Sequence, residues 1–153
     1  MPPFEIENLP ALKTFVGREI GVSDWHAISQ NQIQQFADAT GDRQWIHLDR
    51  ERAQRESPFG ATIAHGFLTL SLLSSLMQEA LRIRGAGMVV NYGLNRVRFP
   101  APVRADSQVR ARFSVLGARE LSDSLEVTFS ATVECAGAAK PCCVAEWILR
   151  YYR

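Results

Sequence analysis

Apolar and polar residues alternate most regularly between Ser124 and Cys135. Over these twelve residues Leu125, Val127, Phe129, Ala131, Val133 and Cys135 are set against Ser124, Glu126, Thr128, Ser130, Thr132 and Glu134. Successive side chains of a strand point to opposite faces, so this pattern predicts a strand with one face on a core and the other toward water or a partner. Gln108 to Val115 alternates in the same way. Met88 to Phe99 reads as a strand stopped by Pro100 and Pro102. Cys142 to Tyr152 is apolar in part on both faces, as a central or interface strand would be.

The first half of the chain reads differently. Ile20 to Ile28 is a short apolar strand. Ser29 follows as a helix N-cap, with Gln32 completing a capping box. Ile33, Phe36, Ala37 and Thr40 share a helix face, and Gly41 suits the residue just past its end. Asp42 to Phe59 is a loop with a short helical piece, ERAQRE, capped by Asp49. Gly60 to Arg84 then predicts a long helix. Phe67, Leu68, Leu70, Leu72, Leu73, Leu76, Met77, Ala80 and Leu81 cover most of its circumference, so it is buried in a core or a membrane. A membrane span needs about 18 uncharged apolar residues. His65, Glu79, Arg82 and interspersed serines break this run, which makes it the central helix of a soluble domain. Helices followed by a run of strands predict an α+β fold, one antiparallel sheet around one helix.

The 153 residues amount to one domain, 1–153. A net charge of +1 gives no field to draw in nucleic acid or an acidic membrane surface. The opening residues MPPFEIENLP show neither the basic nor the apolar region of a secretion signal. Cys135, Cys142 and Cys143 form no CxxC pair, so free thiols in a reducing cytoplasm are expected instead of disulfides or structural zinc.

Candidate chemistry gathers before the long helix. Asp42 and His47 flank Trp45 and Ile46, and two such groups can converge on one water, one accepting and one donating a proton. Histidine, with an unperturbed pKa of about 6.5, suits that task. Spacing alone equally allows Asp42 to cap a turn and His47 to pack half-buried. Gly66 marks a helix N-terminus, where unpaired N–H groups and roughly +0.5 of a charge would stabilise a carbonyl oxygen gaining negative charge. It would also serve as a plain loop-to-helix glycine. His47 and Asp49 form H-x-D, but His26 and His65 lie in other elements, so no metal site is expected. Arg96, Arg98 and Arg104 surround a strand end and could hold phosphates or simply meet solvent.

FADATGDRQWIHLDRERA, followed by FGATIAHGFLTLSLL and later NYGLNRVRFPAPV, resembles the signature of MaoC-like dehydratases, the (R)-specific enoyl-CoA hydratase or hydratase 2 family. The likeness spans Ile28 to Val103 and is nearest the single-domain, nodulation-protein-N-like branch. It implies a hot-dog fold, usually a homodimer, acting on a 2-enoyl thioester of coenzyme A or acyl-carrier protein in fatty acid metabolism. No cofactor is implied, coenzyme A being part of the substrate. Asp42 and His47 match the family's water-activating pair, and the Gly66 N–H matches the donor that polarises the thioester carbonyl. Gln44, Trp45, His65, Phe67, Arg96 and Arg98 are candidate substrate contacts. Many members read D-x-N-P-x-H, the asparagine helping to bind water; here Gln44 and Trp45 stand in those places, and Trp45 would narrow the acyl pocket. Apolar Trp147, Leu149 and Tyr151 near the last strand add to the expectation of a dimer.

Two rivals remain. A hot-dog thioesterase would need a carboxylate on or beside the helix, where only Glu79 is found, far from Gly66. A non-catalytic thioester-binding module would need no acid/base pair.

Overall fold

The computed structural model describes residues 1–153. Its elements in chain order are β1 (Phe4–Ile6), a 3-10 turn (Pro10–Phe15), β2 (Glu19–Val22), β3 (His26–Ala27), α1 (Gln30–Thr40), α2 (Trp45–Leu48), α3 (Arg50–Glu56), α4 (Gly66–Ser71), α5 (Leu73–Ala80), β4 (Leu81–Ile83), β5 (Met88–Arg98), β6 (Gln108–Glu120), β7 (Ser124–Cys135) and β8 (Cys143–Tyr152). The alternation from Ser124 to Cys135 becomes β7 over the same span. Its apolar set is turned inward, with Val127, Phe129, Ala131 and Val133 fully buried.

One antiparallel sheet runs β2-β6-β7-β8-β5, with β3 also pairing β6. Its inner face meets Leu73, Leu76, Met77 and Ala80 of α5 in a single core. This is the hot-dog arrangement, and the wrapping follows from an apolar helix stripe and an apolar sheet face that bury each other. On the outer face Arg110 and Arg112 both bind Glu134, at 2.7 and 2.6 Å, so the polar half of the alternation carries ion pairs.

Local signals act as the residues suggest. The Ser29 hydroxyl accepts the Gln32 N–H at 3.1 Å. Asp49 caps α3 through the Arg52 N–H at 3.0 Å. Gly41 takes the left-handed φ of 82° that ends α1, a conformation costly for residues with a Cβ.

Three expectations need correction. The long helix does not reach Arg84. It is distorted at Leu72, where the Ser71 hydroxyl bonds back to the Phe67 carbonyl at 2.7 Å, an interaction that bends helices. It stops at Ala80, because Leu81–Ile83 turns extended to pair, parallel, with β1. The strand expected from Ile20 to Ile28 is divided, since Ser23, Asp24 and Trp25 interrupt it between β2 and β3. Trp147, Leu149 and Tyr151 lie in the core, not on an interface. Their strand β8 is interior to the sheet, between β7 and β5, and they face the helix.

The exposed apolar surface lies instead on the edge strand β5, where Met88, Val89, Val90, Tyr92 and Leu94 are 40–56% exposed. Beside it the helix leaves an open flank, and Leu70, Ser71 and Ser74 share a groove with Tyr92 and Leu94. No helix is long and apolar enough to cross a membrane.

Candidate active site

Gly41 ends α1 and throws the chain into a tight loop. There the Asp42 N–H reaches the Thr40 hydroxyl and the Gln44 N–H reaches an Asp42 carboxylate oxygen, both at 3.4 Å. One helical turn, α2, then presents His47. Its main chain is fixed from α1, because the Gln30 amide donates to the His47 carbonyl at 2.7 Å and accepts from the Thr62 hydroxyl. The segment before Gly66 is pinned like a strand. Ala64 N–H donates to the Val103 carbonyl at 2.8 Å, and Ala105 N–H donates to the Thr62 carbonyl at 2.9 Å.

These supports bring Asp42, His47 and His65 together, with one side-chain donor or acceptor atom of each within 4.8 Å of the others. His47 is buried, and its Nδ1 lies 2.7 Å from the Ile63 carbonyl. A carbonyl oxygen can only accept, so Nδ1 carries the proton and Nε2 keeps a free lone pair. Burial, the largest influence, pulls the His47 pKa below its ordinary value; the Ile63 bond and the Asp42 charge oppose it, and neighbouring His65 adds to it. The result is a neutral imidazole with an open lone pair beside an exposed carboxylate.

His65 lies behind His47, 3% exposed, with the two rings stacked at 3.8 Å and only 23° from parallel. Folding thus assembles the three-residue set that sequence spacing did not show. That set is close enough together to hold a metal ion, where spacing along the sequence predicts none. His26 pairs with Glu79 at 2.7 Å, the helix acid that a thioesterase reading needed.

Gly66 opens α4, and no acceptor in the chain takes its N–H. It faces an apolar pocket of about 300 Å³ that includes Phe59, Ile63, Thr69, Phe99 and Cys142. A Cβ on Gly66 would stand 3.0 Å from the Phe99 ring, so glycine here lets that ring pack against the start of the helix.

The other expected contacts scatter. Gln44 is exposed and is the N-cap residue of α2, but its side chain makes no capping bond. Trp45 does not line the Gly66 pocket. It lies under the Arg52 guanidinium at 4.1 Å and borders an open groove with Arg43, Asp49 and Arg50. Phe67 is 69% exposed and meets Phe99 edge-on. Arg96 and Arg98 are exposed on β5, the latter one residue from Phe99. Gln30, the Ile63 carbonyl and Phe99 are supports that sequence reasoning missed. Two act by tertiary contact and one is main chain, so no residue pattern announces them.

Residues 12–135 match the MaoC-like domain family. The chain is 51% identical to 3-hydroxyacyl-thioester dehydratase Z of Mycobacterium tuberculosis H37Rv, over 95% of this chain and 96% of that protein. It is 48% identical to nodulation protein N of Rhizobium leguminosarum bv. viciae, over 92% of this chain and 89% of that one. The unliganded R-hydratase PhaJ1 of Pseudomonas aeruginosa superposes with a TM-score of 0.71 at 26% identity, covering 90% of this chain and 82% of that one. Fold and relatives define the class, a hydro-lyase on the hot-dog fold. The chain belongs to the MaoC-like dehydratase family.

Proposed function

We propose that the chain is an (R)-specific enoyl-thioester hydratase, equally a 3-hydroxyacyl-thioester dehydratase, working as one domain over residues 1–153. The observation that carries this is a neutral His47 with a free Nε2, beside the Asp42 carboxylate, next to a helix end whose Gly66 N–H is unclaimed. In hydration, Asp42 and Nε2 hold a water, and Nε2 takes its proton as the oxygen bonds to C3. The C2=C3 electrons shift toward the thioester carbonyl, whose oxygen gains charge at the Gly66 N–H. The imidazolium, stabilised by Asp42, then returns the proton to C2. One group serving both carbons gives syn addition, the face of the double bond turned to it gives the (3R) alcohol, and dehydration is the same path reversed.

The apolar pocket beside Gly66 suits an acyl chain, and no cofactor takes part. The thioester is that of coenzyme A or an acyl-carrier protein, with exposed Arg96 and Arg98 available to its phosphates. The three cysteines are buried and free, which fits action in a reducing cytoplasm within fatty acid metabolism. Two copies pair across the apolar edge β5, making a homodimer.

The test is hydration of crotonyl-CoA, followed by loss of absorbance with chiral analysis of the product. The wild type is expected to form the (3R) alcohol, while Asp42→Asn and His47→Gln each lose about 10²–10⁴-fold in kcat. Release of free thiol would mean a thioesterase. Binding without turnover of any enoyl thioester would mean a binding module.

A further inference from the structure

One buried titratable group has no part in this chemistry. His65 is 3% exposed and is held from three directions. Its Nε2 lies 2.9 Å from the main-chain oxygen of Asp42 and must be the donor, since a carbonyl only accepts. One face of the ring stacks on His47 at 3.8 Å, and Phe36 packs against it at 4.9 Å. Nδ1, by contrast, is buried with no hydrogen-bond partner. Packing alone would favour a phenylalanine, because an unpaired buried nitrogen is a net cost. What the imidazole adds is one bond, from Nε2–H to the Asp42 main chain.

That bond matters because the Asp42 loop has little else. Its local side-chain contacts, from the Asp42 and Gln44 N–H groups and from Arg43 to Asp38, are each 3.4 Å long, the Gln44 carbonyl accepts the His47 N–H at 3.1 Å, and Asp42 itself is exposed. His65 directly precedes Gly66, on a segment pinned to Val103 in the connection between β5 and β6. A single side chain therefore links the carboxylate, the base and the residue beside the carbonyl-polarising N–H.

We infer that His65 is a positioning residue, which ties the Asp42–His47 loop to the helix end bearing Gly66 and so sets the reach between water and thioester. The inference rests on the roles proposed for those three residues. Misplacement of about 1 Å can cost on the order of 10²-fold in rate, so losing the tie is felt in turnover more than in folding.

Two substitutions separate positioning from packing. His65→Phe keeps a stacked ring and removes the N–H; His65→Gln sets an amide N–H near the place of Nε2. The readouts are kcat and KM for crotonyl-CoA, urea unfolding, and hydrogen exchange of the Asp42 and Gln44 amides. His65→Phe is expected to fold at least as stably as the wild type, having lost the orphaned nitrogen. Its kcat should fall about 10²-fold with KM little changed, and its Asp42 and Gln44 amides should exchange faster. His65→Gln should recover at least about tenfold of that loss. The inference is overturned if His65→Phe keeps the wild-type kcat, or if its lost activity follows lost stability with glutamine no better. Should the wild type turn over no enoyl thioester, the acid/base reading falls by itself. The amide exchange of His65→Phe then still decides the tie: faster exchange at Asp42 and Gln44 upholds it, and unchanged exchange overturns it.

Discussion

In the role proposed for it, His47 owes its readiness as a base to burial. Because burial holds its pKa down, the folded protein resists protonating it more than the unfolded chain does. Its folded value thus lies below the unfolded one. The stability it contributes is present above the unfolded value and is lost as pH falls through the folded value. Activity follows the same sign: kcat/KM should hold from neutrality down past the ordinary value of 6.5 and fall only below it. A pH–rate profile checks this, and an acid limb centred above 6.5 would remove His47 from the role of base. The pair itself was legible, because an acid and a histidine five residues apart can meet through one loop and one helical turn. His65 was legible only as a residue near the helix start. Its place behind His47 depends on Val103 in the connection between β5 and β6, which lies far off in sequence and leaves no mark near His65.

Among the elements, β2 and α5 meet at a single glycine. A Cβ on Gly21 would come within 2.5 Å of the Ala80 carbonyl oxygen, a main-chain atom with little freedom to move. Gly21→Ala should therefore destabilise the protein by about 1–3 kcal/mol, read as a lower urea midpoint, as an overpacked core does. Ala80 is also where the helix ends, and the extended Leu81–Ile83 that follows is locked to β1. That ending was not legible. Leu81 continues the helical stripe, so local periodicity favours more helix, and only the partner strand at Phe4–Ile6 makes extension the better state. The long strands were legible for the opposite reason. Ser124 to Cys135 repeats its two-residue period often enough for one face to define a core by itself.

The molecule as a whole leaves one long apolar edge, β5, which is the seam proposed between two copies. Val90→Asp with Leu94→Asp places charge on that edge, at two residues 40% and 42% exposed. Sedimentation should show the wild type as a dimer and the double variant as a monomer, with association weakened at least about 10²-fold. The edge position of β5 was not legible, since apolar residues mark β5 and β8 alike. Sheet order alone sends Trp147, Leu149 and Tyr151 inward and leaves Met88 to Leu94 outside. An uncovered edge of this kind also makes stability a matter of mass action. If folded chains are held in pairs, the melting midpoint climbs as the protein is concentrated and sinks on dilution, whereas a chain that closed its own sheet would melt at one temperature however dilute.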